Sequence, residues 1–204
     1  KDLKKLDCPF ATLTAYDFCT AQILDEAEIP LILVGDSASM TVYGYNTTVP
    51  VTMEEMLLVI KAVMRGVKSS LVVADMPFLS YQPSIEETIK NAGILIKEGG
   101  ANAVKLEGGE HMAPNIQALV NAGIPVLGHV GLMPQSVNQT SGYKIQGKTN
   151  MAAEQIVRDA KAVESSGAFG VVLECIPETL ATQITRELSI PTIGIGSGNT
   201  CDGQ

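Results

Sequence analysis

Ionisable side chains stand at or near the ends of five successive apolar runs in this sequence. The run 31–36, LILVGD, ends on Asp36 and is followed by Ser37, and the run 70–75 ends on Asp75. The next three runs carry, close to their ends, Lys105, Glu107, His129 and Glu174. Several carboxylates with little sulfur among them suit a hard cation, and Mg²⁺ is the first candidate.

Together these residue types predict chemistry on a 2-oxo acid. Such an acid chelates a bound Mg²⁺ through its carboxylate and keto oxygens, and the cation stabilises the enolate formed when the neighbouring carbon loses a proton. Lys105 is suited to neutralise the substrate carboxylate or the enolate oxygen. A further carboxylate away from the metal is suited to remove the proton.

Each residue also has an ordinary structural interpretation. Asp36 alone is about as often a helix cap or a hydrogen-bonded carboxylate as a ligand, and Asp75 could simply end a strand. Lys105 and Glu107 could form a local ion pair, and a single histidine is more often a satisfied core residue. Taken together these interpretations do poorly, because burying this many charges is costly unless they pair or bind something.

The elements that would position these residues alternate along the chain. Seven short runs, most of them rich in Val, Ile and Leu, predict parallel strands buried on both faces: 11–16, 31–36, 70–75, 102–107, 124–130, 170–175 and 190–196. Thr52 with Glu55, and Ser84 with Glu87, predict capping boxes at the starts of two intervening helices. Helix ends in left-handed backbone are expected at Gly66, Gly99 and Gly123.

Repeated strand–helix units imply parallel strands joined by right-handed crossovers. Seven such units favour an α/β fold of the (β/α)8 TIM-barrel class, forming a single domain over residues 1–204. The sequence ends just after the seventh run, so we expect the eighth strand not to be included in this chain. Two long connections, 38–51 and 131–150, follow strands and should border the active-site face of such a barrel.

Composition argues against several classes of protein. A net charge of −8 and an aromatic content of 4% argue against a nucleic-acid partner. No apolar run reaches the ~20 residues that a bilayer span needs, so no membrane association is expected. Four cysteines without C-x-x-C spacing predict neither a disulfide framework nor a zinc site, and they indicate a reducing, cytoplasmic setting.

Longer motifs around the same residues resemble those of the ketopantoate hydroxymethyltransferase family. The resemblance runs in order through nearly the whole chain, in LTAYD (13–17), LVGDS (33–37), VVADMPF (72–78), AVKLEGG (103–109), GHVGLMPQSVN (128–138), GYKIQGKT (142–149), LECIP (173–177) and IGIGSG (193–198). It implies a cytoplasmic, homodecameric barrel of the phosphoenolpyruvate/pyruvate-binding type. It also implies Mg²⁺-dependent transfer of a hydroxymethyl group from 5,10-methylenetetrahydrofolate to 3-methyl-2-oxobutanoate. The product would be 2-dehydropantoate, in pantothenate and coenzyme A biosynthesis.

The resemblance implies a role for each candidate residue. The metal ligands would be Asp36, Asp75 and Glu107. The substrate-binding residues would be Asp36, Ser37, Asp75, Lys105 and His129. The catalytic residue would be Glu174, as the general base that removes the C3 proton.

One position departs from the family motif, and two other functions stay open. In GDSASM, Ser39 stands where the family usually has glycine, which raises a question about the geometry of the following loop. A related Mg²⁺-dependent 2-oxo-acid lyase or mutase would use a similar site, and a non-catalytic barrel could bind a small acid. The motif GYKIQGKT favours the transferase, and Glu174 argues against a binding module, which needs no base.

Overall fold

A computed structural model describes residues 4, 8–140, 142 and 144–204. In this part of the chain seven parallel strands form one sheet in sequence order: β1 (Thr12–Thr14), β2 (Leu31–Val34), β3 (Leu71–Asp75), β4 (Ala103–Glu107), β5 (Val126–Gly131), β6 (Gly170–Glu174) and β7 (Thr192–Ile195). The helices between them are α1 (Phe18–Glu26), α2 (Ala38–Thr41), α3 (Met53–Gly66), α4 (Ile85–Lys97), α5 (Ala113–Asn121), α6 (Val137–Thr140), α7 (Asn150–Ser165) and α8 (Glu178–Glu187). The predicted α/β barrel class is confirmed.

The sheet curls into a nearly closed barrel. Gly203 forms parallel bridges with Ile193 of β7 and with Phe10, just ahead of β1. The Gln204 N–H also donates to the Phe10 carbonyl at 3.1 Å. The structure therefore has the seven predicted strands and, in addition, a short segment at 202–204 in the eighth-strand position. Within the described residues no helix combines the length and the apolar character needed to cross a bilayer.

Several strands are shorter than predicted, which changes where the site residues lie. β1 covers only Thr12–Thr14, and β2 ends at Val34, so Asp36 lies in the turn beyond the strand. The connection 38–51 contains α2. The connection 131–150 contains a 3-10 turn, Pro134–Ser136, followed by α6.

The predicted helix starts are observed. At α3, Thr52 accepts a hydrogen bond from the Glu55 N–H, and the Glu55 carboxylate accepts one from the Thr52 N–H, so the capping box is complete. At α4 only one of the two bonds of the predicted capping box is present: the Ser84 hydroxyl accepts from the Glu87 N–H at 3.1 Å. These bonds satisfy N–H groups that the first turn of a helix leaves free.

The glycine prediction was right at one helix end out of three. Gly123 follows α5 with a left-handed φ of 83°. After α4 the left-handed residue is Gly100, with φ 84°, rather than Gly99. Gly66 is the last residue of α3, where a Cβ atom would lie 2.5 Å from the Phe18 carbonyl oxygen, so glycine there permits the close approach of α1 and α3.

Alternation along the strands separates the barrel interior from the helix-facing side. Six interior residues form one apolar cluster: Leu31, Val73, Ala103, Leu127, Val172 and Ile193. Because side chains repeat their direction every second residue in a strand, the next interior-facing positions on four of these strands are Asp75, Lys105, His129 and Glu174. The strand period thus directs these ionisable side chains into the barrel mouth, one layer above the apolar cluster.

Candidate active site

A cavity of about 250 Å³ lies at the C-terminal mouth of the barrel. All seven predicted site residues line it: Asp36, Ser37, Asp75, Lys105, Glu107, His129 and Glu174. Thr14, Leu33, Thr48, Pro134 and Ile195 complete the lining. The structure therefore brings together residues that are spread over five strand ends in the sequence.

Asp75 and Lys105 form an ion pair in this cavity. They are register neighbours on β3 and β4, and Lys105 Nζ lies 2.5 Å from Asp75 Oδ1. The other carboxylate oxygen of Asp75 accepts the Asp36 N–H at 3.0 Å. Burial disfavours the charge of Lys105, but the neighbouring carboxylates, Asp75 first, outweigh this and raise the pKa of the lysine. Lys105 is therefore a fixed positive charge in the cavity.

Negative charge exceeds positive charge around this lysine. Burial, reinforced by the Asp75 carboxylate, raises the pKa of Asp36 to about 7. Burial also raises the pKa of Glu107 to about 8, although Lys105 opposes the change. Both acids hold a proton more readily than an exposed carboxylate because their charges are only partly compensated. A divalent cation would supply the missing compensation.

The donor set fits Mg²⁺ by its chemistry. Asp36, Asp75 and Glu107 offer carboxylate oxygens, the ligands that Mg²⁺ prefers in proteins. Among the described residues no group of three His, Cys, Asp or Glu side chains is already arranged to hold a metal ion. The Lys105 ammonium instead contacts Asp75 Oδ1. Metal binding therefore requires this ion pair to rearrange.

Glu174 lies on the opposite side of the mouth from Asp36. β6 is four places from β2 in the strand order, which is the facing wall of an eight-position barrel. Glu174 Oε2 lies 3.1 Å from His129 Nε2, and the Glu174 side chain is 16% exposed. Burial and the positive charge of Lys105 lower the pKa of His129, which favours the neutral imidazole. Glu174 is thus a partly exposed carboxylate that lies beside a neutral histidine.

The turn after β2 is braced by two hydroxyl contacts. The Tyr16 hydroxyl and Ser37 Oγ are 2.7 Å apart. Ser39 is fully buried, and its hydroxyl donates to the Thr47 carbonyl at 2.6 Å. The serine that departs from the family motif therefore links two parts of the 38–51 connection, at residues 39 and 47. Its backbone is not in the left-handed region, so serine fits there without strain. The segment LTAYD stood out in the sequence, but it gave no indication that Tyr16 would contact Ser37.

Sequence reasoning also missed two buried polar residues beside the cavity, Gln135 and Tyr81. Gln135 Nε2 donates to Asp36 Oδ2 at 2.8 Å, and the Tyr81 hydroxyl donates to Gln135 Oε1 at 2.8 Å. Neither residue lies on a strand, so the periodicity that revealed the other site residues gives no signal for them. Two features of the sequence pointed to Gln135 without giving it a role: the length of the connection 131–150 and the motif GHVGLMPQSVN (128–138).

A larger groove of about 420 Å³ lies outside the barrel, between α7 and α8. Its polar side chains, Asn150, Glu154, Arg158 and Gln183, are all exposed. Volume alone is a weak guide to an active site, whereas buried titratable groups that shift one another's pKa values are a stronger one. The smaller cavity at the barrel mouth is therefore the candidate active site.

Comparison with known proteins assigns the family. The sequence pattern of ketopantoate hydroxymethyltransferase matches residues 1–204, the whole chain. The chain belongs to the ketopantoate hydroxymethyltransferase family. A curated relative from Dehalococcoides mccartyi is 57% identical over 204 residues, which are 100% of this chain and 73% of that protein. A relative from Enterococcus faecalis is 56% identical over 100% of this chain and 74% of its own length.

Both of these relatives carry the name 3-methyl-2-oxobutanoate hydroxymethyltransferase. The ketopantoate hydroxymethyltransferase family comprises enzymes of pantothenate biosynthesis, and this chain is one of its hydroxymethyltransferases. The expectation from the sequence motifs is confirmed at this level.

Solved structures of similar fold come from a neighbouring group of enzymes. 2,3-Dimethylmalate lyase, a member of the PEP mutase/isocitrate lyase superfamily, has a TM-score of 0.66 and 18% identity over 94% of this chain and 68% of that chain. Phosphonopyruvate hydrolase, solved in complex with oxalate and Mg²⁺, has a TM-score of 0.67 and 15% identity over 91% of this chain and 66% of that chain. At these identities the likeness establishes the barrel fold alone.

Proposed function

We propose that this family member transfers the one-carbon unit of 5,10-methylenetetrahydrofolate to 3-methyl-2-oxobutanoate, giving 2-dehydropantoate, with the help of Mg²⁺. The observation that carries this proposal is the placement of Glu174 across one cavity from Asp36, Asp75 and Lys105. A 2-oxo acid held at its anionic end on one wall would present its C3 atom to a base on the other wall. Phosphonopyruvate hydrolase, a protein of this fold solved in complex with oxalate and Mg²⁺, supports a small organic acid and Mg²⁺ as the occupants.

The wall formed by β2, β3 and β4 would bind the substrate. Asp36 and Asp75, with Glu107 as the third carboxylate, would hold Mg²⁺. When bound, the ion supplies a Lewis acid at the substrate's carboxylate and keto oxygens. Ser37 would contact the substrate carboxylate, and Lys105 would leave Asp75 to neutralise the oxygen on which negative charge develops.

The wall formed by β5 and β6 would move the proton. Glu174 would take the C3 proton, and the electron pair of the broken C–H bond would form the C2–C3 double bond of an enolate. The neutral His129 imidazole, 3.1 Å from Glu174 Oε2, would line the pocket and hold this carboxylate in position.

The enolate carbon would then form a bond to the methylene carbon of the folate. Overall, the two C–N bonds of that methylene group break, and a C–C bond and a C–O bond replace them. Water supplies the hydroxyl oxygen of the product. The two folate nitrogens take up the C3 proton and one proton from water, so atoms and charge balance.

We also propose that the enzyme works as a cytoplasmic homodecamer, as its family resemblance implies. Large apolar side chains at the surface, including Ile23, Leu58 and Met151, are 65%, 67% and 81% exposed and would be buried against other copies. Light scattering after size-exclusion chromatography measures the assembly. A stable monomer at micromolar concentration would contradict this part of the proposal.

Proton exchange at C3 tests the proposed reaction directly. The protein is incubated with 3-methyl-2-oxobutanoate in D₂O, with and without Mg²⁺, and the C3 proton signal is followed by NMR. We expect Mg²⁺-dependent loss of this signal, and Glu174→Gln should slow it by about 10²–10⁴-fold. Glu154→Gln, which alters an exposed carboxylate on α7, is the matched control. Absence of exchange in the folded protein, even with Mg²⁺ and folate present, would favour a binding role instead.

A further inference from the structure

Gln135 connects residues that approach the cavity from three different strand ends. Its side chain and backbone are 4% exposed, on the 3-10 turn that follows β5. The backbone N–H donates to Glu107 Oε2 at 3.1 Å. The side-chain Nε2 donates to Asp36 Oδ2 at 2.8 Å and to the Met76 carbonyl at 2.9 Å. One residue thus contacts two of the three candidate metal ligands.

The orientation of the Gln135 amide is fixed by its partners. The Met76 carbonyl can only accept a hydrogen bond, so the NH₂ group must face it and Asp36. The amide oxygen accepts from the Tyr81 hydroxyl at 2.8 Å and from Gln82 Nε2 at 3.1 Å. Both N–H groups and the oxygen of the amide therefore have hydrogen-bond partners. In a flipped amide the oxygen would face the Met76 carbonyl oxygen, and the NH₂ group would face the NH₂ group of Gln82.

Tyr81 extends this network to the backbone of β4. Its ring is buried, at 1% exposure, and its hydroxyl oxygen accepts the Glu107 N–H at 3.2 Å while its proton points to Gln135. Glu107 is therefore held twice, through its backbone by Tyr81 and through its carboxylate by Gln135. Burial of such a connected polar network fixes side-chain positions, because any rotation leaves a buried group without a partner.

Gln135 contacts only one of the two oxygens in each of the Asp36 and Glu107 carboxylates. Gln135 binds Oδ2 of Asp36 and Oε2 of Glu107, and it leaves Oδ1 and Oε1 to other partners. A carboxylate with one oxygen held by a fixed donor cannot rotate freely, so its second oxygen keeps a defined direction. Donors that orient ligand carboxylates in this way raise the affinity of metal sites.

We propose that Gln135 is a positioning residue for the cation: its amide and N–H fix the Asp36 and Glu107 carboxylates so that one oxygen of each stays directed at the ion. This inference deepens the proposed function and rests on its assignment of these carboxylates as metal ligands. Gln135 itself is not among the residues that line the cavity. It acts through hydrogen bonds to residues 99 and 28 positions away in the sequence.

Mn²⁺ binding, measured by electron paramagnetic resonance of the free ion without any substrate, tests the proposal. Gln135→Met keeps the length of the side chain and removes the side-chain hydrogen bonds to Asp36 and Met76, while the backbone N–H can still donate to Glu107. We expect it to weaken Mn²⁺ binding by about 10–100-fold. Tyr81→Phe, which removes only the hydroxyl that orients the amide, should weaken binding in the same direction by a smaller factor. This second variant keeps the test valid if Gln135→Met does not fold.

The control is Gln146→Met, a glutamine in the same connection whose side chain donates to the Lys144 carbonyl and not to the cavity carboxylates. It should bind Mn²⁺ like the parent. Affinities within twofold of the parent in folded Gln135→Met and Tyr81→Phe would overturn the inference, as would a parent that binds no Mn²⁺. If Mn²⁺ binding depends on Gln135 but the parent shows no C3 exchange, the proposed reaction would be refuted while the positioning role is supported.

Discussion

The two ends of the barrel treat buried carboxylates in opposite ways. At the N-terminal end, Asp25 of α1 accepts backbone N–H groups from Lys68, Ser69 and Ser70 and both serine hydroxyls, at 2.8–3.1 Å. These bonds, those from Ser70 and Ser69 first, lower the pKa of Asp25 well below its usual range. At the C-terminal end, Asp36 is buried beside another carboxylate and its pKa rises to about 7. Asp25 has hydrogen-bond donors on both carboxylate oxygens, whereas the negative charge of Asp36 is only partly compensated.

A second carboxylate at the N-terminal end repeats the pattern of Asp25. Glu164, in the last turn of α7, accepts the N–H groups of Ser189 and Ile190 and the Ser189 hydroxyl. Burial disfavours its charge, but these hydrogen bonds outweigh burial and lower its pKa. Both acids bind the loop that precedes a strand, β3 in one case and β7 in the other. Carboxylates with many hydrogen-bond donors thus fix loops, whereas Asp36 and Glu107, whose charges are only partly compensated, are the ones proposed to bind a ligand.

Among the changes that compare the two ends of the barrel, removing the lysine from the C-terminal end should have the largest effect. Lys105→Met takes away the buried cation that contacts Asp75 and, in the proposed reaction, the enolate oxygen. We expect C3 exchange to fall by about 10²–10³-fold, as when an oxyanion donor is lost. The control is Lys90→Met, which removes an exposed lysine 3.4 Å from Glu87. Exchange within threefold of the parent would make Lys105 a structural counter-charge only.

The matching change at the N-terminal end should cost stability instead of activity. Asp25→Asn removes the negative charge that all five donors face, and even with its oxygen turned to the two serines it places an NH₂ group against the Lys68 N–H. Lost charge-assisted bonds of this kind should lower Tm by roughly 5 °C or more, measured by scanning calorimetry. Asp17→Asn, on the same helix, is the control, because asparagine replaces aspartate well at the exposed N-cap. Slower C3 exchange per folded molecule in Asp25→Asn would contradict the division between the two ends.

The stability that Asp25 contributes should disappear in acid. Its pKa is lower in the folded than in the unfolded chain, where an aspartate titrates near ~3.9. The contribution is therefore complete above that value and is lost as pH falls through the folded pKa. We expect the Tm difference between parent and Asp25→Asn to stay constant from about pH 7 to 5 and to shrink below about pH 4. A difference that persists unchanged to pH 3 would show that the asparagine acts through packing.

The sequence predicted the residues of one end of the barrel better than those of the other. Asp75, Lys105, His129 and Glu174 follow from the strand period, because parallel strands of a barrel place their C-terminal ends around one mouth. Their roles came from the family resemblance. Asp25 gave no signal, since its importance depends on three N–H groups 43–45 residues away converging on one carboxylate.

The contacts of Gln135 and Tyr81 could not be predicted for a related reason. Loop backbones follow no period, so the sequence does not show which way a loop side chain points. The contact from Gln135 to Asp36 spans 99 residues. The capping box at Thr52 was predictable because its bonds are local, between residues three apart in the chain.

This capping box provides the smallest and most discriminating prediction. Thr52 follows the connection that contributes Thr48 to the cavity, so it belongs to the active-site end of the barrel, yet its hydrogen bonds are complete. Thr52→Ala should cost about 1 kcal/mol of unfolding free energy, or ~2–4 °C in Tm, and leave C3 exchange unchanged. Thr52→Ser, which keeps the hydroxyl, should restore most of the loss. If Thr52→Ala instead slowed exchange several-fold in the folded protein, lying at the active-site end of the barrel would be enough to make a residue important for activity. If Thr52→Ala lowers stability and leaves exchange unchanged, a residue whose hydrogen bonds are complete is structural even when it lies at the active-site end of the barrel.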